Sequence, residues 1–388
     1  MKLGDYIFEY SQRNKEDKNY PVYSVTNTLG FCQEYFSKDV SGKDKTTYKL
    51  VPRGYFAYNP SRINVGSVDW QKSEDCVIVS PLYVVFGLKD TLKPEYLKYY
   101  LKSKPTNELI KLSTSGTVRD NLKYSSLEKF PIPVPSIEEQ KAICSLLDKI
   151  NRVIEAKKEQ LKELDNLAQA IFYDMFGDPV TNENGWEVKQ LGEECTELRY
   201  GTSRPACENG QYKYLRMGNL TTSGYLDLTN LKTIDIPDCE VDKCMVKYGD
   251  VLFNRTNSLD LIGKTCMFDL EEPMIIAGYI IRVRLSDRLT PRYVSVAFNM
   301  PSMKKLLRKM AKGAVNQANI NSKELSSIRI PIPPLPLQQA FAEKVEAIER
   351  QKELINQSLR EVQTLFDSRM DYWFSEEDDD FGQLDKLD

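Results

Sequence analysis

The chain has 388 residues, of which 41% are apolar and 28% charged, with 53 Lys and Arg against 56 Asp and Glu. This length accommodates two ordinary domains; no run approaches about 18 consecutive apolar residues and no signal peptide follows Met1, so we expect a cytoplasmic protein without a membrane span. The absence of histidine excludes Ser-His-Asp and Cys-His catalysis, histidine metal sites and histidine general bases.

Residues 1–135 are predicted to form a first globular domain. A strand-like run from Val51 ends in a polar turn, and its side chains are of the types that bond base edges and phosphates: Asn59, Ser61, Arg62 and Asn64. A predicted helix over 94–112 then precedes a polar segment around Gly116 that contains Arg119, where small residues would let the backbone approach a phosphate. The alternative is a set of ordinary solvated turns.

A long helix is predicted over residues 136–178. A proline-rich run excludes helix immediately before it, and Ser136 with Glu139 forms a capping box. Apolar residues recur every three or four positions from Ile143 to Met175, with one polar break at Lys157. This pattern predicts a coiled-coil strand that spans roughly 50 Å.

Residues 179–335 are predicted to form a second globular domain with the same plan. A strand-like run from Val246 ends in a polar turn, and a predicted helix over 291–310 carries basic residues before the segment around Gly313. We predict a phosphate-facing edge here, with a solvated helix face as the alternative. The candidate DNA-binding residues of this domain are Arg204, Arg216, Asn254, Arg255, Asn257, Ser258, Lys304, Lys305, Arg308, Lys312, Asn316 and Gln317.

A second long helix is predicted over residues 336–375, and an acidic tail, expected to be disordered, over 376–388. The heptad pattern runs from Phe341 to Phe366 with a polar break at Lys352. The simplest pairing for the two helices is antiparallel with each other, where a lysine in each seam would limit slippage of the register. The alternative is a coiled coil that dimerises the chain while the domains do unrelated work.

The chain repeats itself at an offset of about 200 residues. Pro131 and Pro331 both open a helix, and Gly54 and Gly249 are 195 residues apart. Two similar surfaces on one chain suit a two-part target better than a single catalytic pocket.

The charges are segregated between domains and helices. Lys and Arg outnumber Asp and Glu by 20 to 15 in residues 1–130 and by 21 to 18 in residues 179–330. Acidic residues predominate by 9 to 6 in residues 131–178 and by 14 to 6 in residues 331–388. Basic domains fit contact with a polyanion, although acidic residues on helices also serve simply as solvated faces.

Catalytic and metal-binding patterns are missing from the sequence. The eight cysteines include no CxxC pair, which favours buried free thiols over a metal or disulfide framework. There is no GxGxxG, no phosphate-binding GxxxxGK[ST] and no HExxH. Asn59-Pro60-Ser61-Arg62 departs from the Asn-Pro-Pro-Tyr signature of amino-methyltransferases, and no glycine-rich cofactor loop precedes it.

Several runs resemble the specificity subunit of type I restriction-modification systems. They are the paired Pro-Ile-Pro openings at 131–133 and 331–333, Glu138-Glu139-Gln140 and Gln338-Gln339, Lys-Tyr-Leu-Arg-Met-Gly-Asn at 213–219, and Gly-Asp-Val-Leu-Phe-Asn-Arg-Thr at 249–256. The resemblance covers residues 3–374. The first domain departs from it with Tyr58-Asn59-Pro60 where the family has Phe-Asn-Arg.

The resemblance implies an α+β fold: two similar α/β target-recognition domains joined and spaced by two long antiparallel helices forming an intramolecular coiled coil. It implies a non-catalytic subunit in which each domain reads one half of a bipartite, asymmetric site in double-stranded DNA. Its expected partners are modification (methyltransferase) subunits, two in number, and restriction (motor-nuclease) subunits. S-adenosylmethionine, ATP and Mg would be bound by these partners, and no cofactor or metal by this chain.

Two other functions are compatible with parts of the sequence. One is a self-contained restriction-methylation enzyme, which the missing cofactor and nuclease motifs disfavour. The other is a coiled-coil adaptor that binds protein through its acidic tail.

Overall fold

The structure is a computed structural model that describes residues 1–33, 44–114, 121–314 and 317–375. The predicted acidic tail therefore lies outside the described residues. The chain divides into two compact units, one made of Met1–Lys157 with the segment from Ser358, and the other of Lys158–Gln357. We call them the first and the second unit.

Small antiparallel sheets and helices make up most of the first unit. Its strands are β1 (Ile7–Glu9), β2 (Ser24–Thr26), β3 (Gly30–Cys32), β4 (Lys49–Pro52), β5 (Phe56–Tyr58), β6 (Val68–Trp70), β7 (Cys76–Val79) and β8 (Val84–Leu88). Its helices are α1 (Pro94–Lys102), α2 (Lys104–Thr114), α3 (Tyr124–Leu127), the first half of α4 (Ile137–Phe176) and the second half of α9 (Leu335–Phe374).

The second unit has more strands. They are β9 (Glu187–Gln190), β10 (Cys195–Tyr200), β11 (Tyr212–Leu215), β12 (Lys232–Ile234), β13 (Met245–Val246), β14 (Val251–Asn254), β15 (Thr256–Asn257), β16 (Thr265–Met267), β17 (Met274–Ile276), β18 (Ile280–Leu285), β19 (Lys312–Ala314), β20 (Gln317–Asn319) and β21 (Arg329–Ile332). The helices are α5 (Asp238–Cys244), α6 (Pro291–Asn299), α7 (Pro301–Met310), α8 (Ser322–Ser326) and the first half of α9 (Leu335–Phe374), beside the second half of α4.

The internal repeat predicted from the sequence is confirmed by the sheets. In the first unit the main sheet has the order β1-β8-β5-β6, and in the second unit the order β10-β18-β14-β16. All neighbouring strands in both sheets are antiparallel, with Phe56 opposite Phe86 in one and Phe253 opposite Ile281 in the other. The second unit also has a second four-stranded sheet, β12-β11-β17-β13, where the first has the two-stranded β4-β7.

Each strand-like run predicted before a polar turn is divided by a glycine. Gly54 lies between β4 and β5 with φ of 86°, and Gly249 lies between β13 and β14 with φ of 88°. Glycine adopts this left-handed conformation without strain because it has no Cβ atom. The positive φ turns the chain, so each run forms two strands separated by its glycine instead of one continuous strand.

The predicted helices over 94–112 and 291–310 are each two helices. Ser103 interrupts the first and Met300 the second, both with extended backbone. Met300 precedes Pro301, and a residue before proline is disfavoured in the helical conformation. The single-helix prediction was therefore wrong at these two positions.

The long helices α4 and α9 run antiparallel, as predicted. In the second unit the end of α4 meets the start of α9, where the rings of Phe172 and Phe341 are 5.5 Å apart. In the first unit Leu147, near the start of α4, shares a buried cluster with Met370 and Trp373, near the end of α9. The capping box before α4 is also confirmed, because the Ser136 N–H donates to Glu139 at 2.8 Å and the Glu139 N–H donates to the Ser136 hydroxyl at 3.3 Å.

Lys352, the polar break in the α9 seam, has specific partners. Its ammonium forms an ion pair with Asp165 of α4 and lies 3.5 Å from the centroid of the Tyr225 ring. The lysine therefore joins both long helices to the body of the second unit.

All eight cysteines are free, but they are not all buried as predicted. Cys207 and Cys239 are exposed, whereas Cys144, Cys244 and Cys266 are buried. Cys207 pairs with Thr233 in an isolated β-bridge and Cys239 lies in the first turn of α5, and both side chains remain exposed.

Candidate nucleic-acid interface

A three-stranded sheet brings together candidate residues of the second unit that are about 60 positions apart in sequence. Its strand order is β15-β20-β19, and Asn257 lies opposite Ala318 while Lys312 lies opposite Asn319. Gln317, in β20, is exposed. The turn after β14 and the Gly313 hairpin therefore form one surface.

The basic helix α7 adjoins the same turn. The backbone of Asn254 pairs with Gly263 and Lys264, through N–H···O distances of 2.9 and 2.8 Å. The ammonium of Lys304, in α7, donates to the carbonyl of Gly263 at 2.5 Å, and that of Lys264 donates to the carbonyl of Met217 at 2.7 Å. The loop over 254–264 is therefore contacted by α7 and by the segment that contains Met217.

Several cations lie close together around α7 and the loop over 254–264. Burial, together with the nearby charges of Arg308 and Lys264, lowers the pKa of Lys304 to about 7. Burial also lowers the pKa of Lys264. Lys305 and Arg308 are exposed and have no ion-pair partner among the described residues. A phosphate would relieve this accumulation of positive charge.

Two of the candidate asparagines hold the turn together. Asn254 is 0% exposed, and its side-chain oxygen accepts a hydrogen bond from the Asn257 amide at 3.3 Å. The Asn257 oxygen in turn accepts from the Ser258 N–H at 2.9 Å. The buried side chain of Asn254 is not placed to contact DNA directly, and we correct its assignment to a structural one, because the β14 position covers it on all sides.

Three other basic candidates of the second unit already have partners. Arg204 uses its Nε and Nη2 atoms on the two carboxylate oxygens of Glu240, at 3.1 and 2.7 Å, and Arg216 donates to the carbonyl of Asn230 at 3.3 Å. Lys312 forms a 2.6 Å ion pair with Glu324 but is 81% exposed. Arg204 and Lys312 must share or release their carboxylates to bind a phosphate.

Arg255 is held from several directions. The backbone N–H of Arg255 donates to the backbone carbonyl of Tyr279 at 2.9 Å, and its own carbonyl accepts from the Ile320 N–H at 2.9 Å. Its guanidinium carbon lies 4.9 Å from the centroid of the Tyr200 ring, and Nη1 donates to the carbonyl of Gly278 at 3.4 Å. The side chain is therefore half-buried and oriented.

In the first unit the equivalent turn is smaller and less basic. Asn59 accepts hydrogen bonds from the N–H and hydroxyl of Ser61 at 3.2 and 3.0 Å, so its oxygen is used within the turn. Arg62 is exposed and has no side-chain partner within the described ranges, and Asn64 is half-buried in a single 3-10 turn. Arg119 of this unit and Asn316 of the other lie outside the described residues.

Two residues near the second surface were not among the sequence-predicted candidates. Lys264 is buried at the end of a loop, and the Tyr200 ring lies under Arg255. Nothing in the local pattern around Lys264 distinguishes it from a surface lysine. Tyr200 is the last residue of β10, and its position depends on the pairing of β10 with β18.

Neither a cluster of metal-ligand side chains nor a membrane-spanning helix occurs in the described part of the chain. No group of three or more Cys, Asp or Glu side chains there is arranged to hold a metal ion. Nor does any helix in the described ranges have the length and apolar character that crossing a membrane requires.

The family comparison matches both halves of the chain. The model described as "Type I restriction modification DNA specificity domain" matches residues 3–166 and 183–364. The chain is 24% identical over 316 residues to the type I restriction enzyme EcoKI specificity subunit of Escherichia coli (strain K12), which covers 76% of this chain and 66% of that protein. It is 33% identical over 151 residues to the MjaIX specificity subunit of Methanocaldococcus jannaschii, which covers 34% of this chain and 35% of that protein.

Two solved structures share the fold. One, from work on complex assembly and conformational transition of the type I R-M system, aligns with a TM-score of 0.57 at 19% identity and covers 96% of both chains. The other, the S subunit of a type I restriction-modification system from M. genitalium, aligns with a TM-score of 0.50 at 14% identity and covers 97% of this chain and 96% of that one.

Proposed function

The chain belongs to the type I restriction-modification DNA specificity family, and we propose that each of its two units reads one half of a bipartite, asymmetric site in double-stranded DNA. The observation that carries this proposal is the duplication. The main sheets of the two units have equivalent strand orders. In each sheet the third strand in that order, β5 or β14, ends in the turn that carries the candidate residues. Because the two turns differ in sequence, the two half-sites differ.

The second unit supports the proposal most directly. Its exposed cations, Lys305, Arg308 and Lys312, lie on elements that adjoin the Asn254–Lys264 loop. Phosphate contacts from such residues supply affinity that falls steeply with salt, while base contacts supply specificity.

We further propose that the chain acts without catalysing a reaction itself. Modification subunits, two per chain, would bring S-adenosylmethionine and methylate adenine in the site that this chain selects. Restriction subunits would bring ATP, Mg and the nuclease that cleaves unmodified DNA. The expected location is the cytoplasm, where these partners meet DNA.

The test is to map methylated adenines by long-read sequencing in cells that express the chain with its candidate modification subunit. Cells that express the modification subunit alone are the control. We expect a bipartite motif with a fixed unread spacer only when the chain is present. A methylation pattern that is the same in both cell lines would overturn the proposal.

A further inference from the structure

We propose that Arg255 reads a guanine in the half-site of the second unit, through its Nε and Nη2 atoms, and that Tyr200 positions it to do so. This inference rests on the function proposed above and adds to it the base and the residues that read it.

One edge of the Arg255 guanidinium has no hydrogen-bond partner among the described residues, while the other edge is held. Nη1 donates to the carbonyl of Gly278. Nε is shielded from solvent without a hydrogen-bond partner, and Nη2 has none among the described residues. The Nε and Nη2 hydrogens lie in the guanidinium plane and point the same way, so they form a fork that lacks its bidentate acceptor.

Arg204 shows what such a fork does when an acceptor is present. Its Nε and Nη2 bind both oxygens of Glu240, at 3.1 and 2.7 Å. Arg255 has no carboxylate within ion-pair distance in the described structure. No described residue supplies this acceptor, and in our proposal the DNA supplies it.

Two parts of DNA offer a bidentate acceptor, the O6 and N7 edge of guanine and a phosphate group. Guanine presents its two acceptors in one plane and one direction, so that an arginine must have a fixed plane to bind both. A phosphate also binds both donors of an arginine fork, but its oxygens point in several directions and do not require one fixed plane of the guanidinium. The degree of orientation at Arg255 therefore decides between them.

Tyr200 provides that orientation. Its ring lies under the guanidinium, and its hydroxyl accepts from the Ser322 N–H at 2.7 Å and donates to the Ser322 hydroxyl at 2.9 Å. The ring is thus fixed at the end of β10 and at the start of α8. The arginine itself is half-buried. This arrangement favours guanine over phosphate.

The equivalent position in the first unit is a proline. Pro60 accepts the backbone hydrogen bond from Leu122 at 3.1 Å, as Arg255 accepts one from Ile320. The repeated hydrogen bond places Pro60 at the position of Arg255. The contact proposed for Arg255 therefore has no counterpart at this position of the first unit.

The experiment compares the methylated motifs produced by the wild-type chain and by four variants, each with the modification subunit. Arg255→Lys keeps the charge but loses the fork. Tyr200→Leu removes the ring, and Tyr200→Phe keeps it. Arg329→Lys, at an exposed arginine of β21, is the matched control.

We expect a G·C pair in one half of the wild-type motif, and about tenfold less discrimination at that pair for Arg255→Lys. Tyr200→Leu should weaken discrimination at the same pair. Tyr200→Phe should weaken it less, because the ring stays while its hydrogen bonds to Ser322 are lost. Arg329→Lys should leave it unchanged. The other half of the motif should remain unchanged in every variant. Thermal melting of each purified variant verifies that it is folded.

Three results would overturn this inference. The first is a wild-type motif without guanine in either half, and the second is an unchanged motif for Arg255→Lys. The third is a uniform loss of methylation at all sites with no change in motif, which identifies a phosphate contact instead. Absence of any bipartite motif from the wild-type chain refutes the proposed function and is distinguishable from these three.

Discussion

Gln140 and Gln338 make the same three hydrogen bonds, each inside its own unit and each near the start of a long helix. The Gln140 side-chain oxygen accepts from the Lys93 N–H at 2.9 Å. Its amide donates to the carbonyls of Thr91 and Pro135, at 3.0 and 2.9 Å. One side chain thus ties the loop before α1 to the first turn of α4.

Gln338 repeats this arrangement in the second unit. Its oxygen accepts from the Thr290 N–H at 2.8 Å, and its amide donates to the carbonyls of Arg288 and Pro333, at 2.9 and 2.8 Å. Both glutamines are fully buried. A buried amide with all its partners fixes the direction in which each helix leaves its domain.

Replacing either glutamine by leucine should destabilise its unit by about 2–3 kcal/mol, because one backbone N–H and two carbonyls lose their side-chain partner in the interior. Denaturant unfolding measures the loss, and amide hydrogen exchange assigns it to the unit that carries the change. Gln160→Leu, at an exposed position of α4, is the control and should change stability by less than about 0.5 kcal/mol. Equal effects at positions 140 and 160 would contradict this prediction.

Lys352→Met should destabilise the second unit by about 2 kcal/mol, because it leaves the partly buried Asp165 carboxylate without its cation. A double-mutant cycle with Asp165→Asn measures the coupling, and the double variant should lose less than the sum of the single ones. Tyr225→Phe keeps the ring under the ammonium and should be close to neutral, whereas Tyr225→Leu should cost about 0.5–1 kcal/mol. Strict additivity in the cycle would show that the ion pair is unimportant.

Glu349 should make the second unit less stable as the pH rises from about 4.5 to about 7. Burial raises the pKa of this carboxyl to about 7, even though Arg292 lies 2.6 Å away and opposes the shift. In this window the unfolded chain releases the proton and the folded chain keeps it, so stability falls with pH. The difference between the wild type and Glu349→Gln in denaturant unfolding at several pH values isolates this contribution. A pH-independent difference would contradict the prediction.

Lys304 should act in the opposite direction at higher pH. Because its pKa in the folded chain is about 7, the unfolded chain binds more protons between pH 7 and about 10, and stability rises with pH over that window. Lys304→Met should flatten this rise. Lys305→Met, at the exposed neighbour, should leave the slope unchanged, and the same unfolding series detects the difference.

Gly54→Ala and Gly249→Ala should each cost about 1–2 kcal/mol through backbone strain alone, since both glycines have positive φ and an added Cβ would meet no atom within 4 Å. Gly218→Ala is the matched control, because Gly218 has the same open surroundings without a positive φ. It should be neutral within about 0.5 kcal/mol. Equal melting temperatures for all three variants would contradict the assignment of strain.

The repeat and the paired helices could be predicted from the sequence because periodic apolar positions and recurring prolines and glycines indicate them. The capping box could be predicted from Ser136 and Glu139. The break at Met300 was also signalled, by Pro301, but the regular spacing around it suggested one helix. The burial of Asn254 and Lys264 could not be predicted. Asparagine and lysine are common in exposed turns, and only the packing of the folded chain buries these two side chains.

The partners of Lys352 show the same difference. Its place in the seam follows from the heptad pattern, but the contact with Tyr225 depends on a loop that is more than 100 residues earlier in the chain. Likewise, the free edge of Arg255 depends on where Gly278 and Tyr200 lie after folding. Sequence patterns identify elements and their faces, whereas contacts between distant loops require the folded chain.

The division of both long helices between the units has a consequence for biosynthesis. The second unit is a continuous stretch, Lys158–Gln357, inserted into the first, which resumes only at Ser358. A ribosome therefore releases every residue of the second unit before it delivers the segment of α9 that buries Met370 and Trp373 in the first. The first unit is therefore begun before the second and completed after it. Until its last segment is synthesised, the apolar face of its half of α4 stays uncovered, which is the kind of surface that chaperones bind.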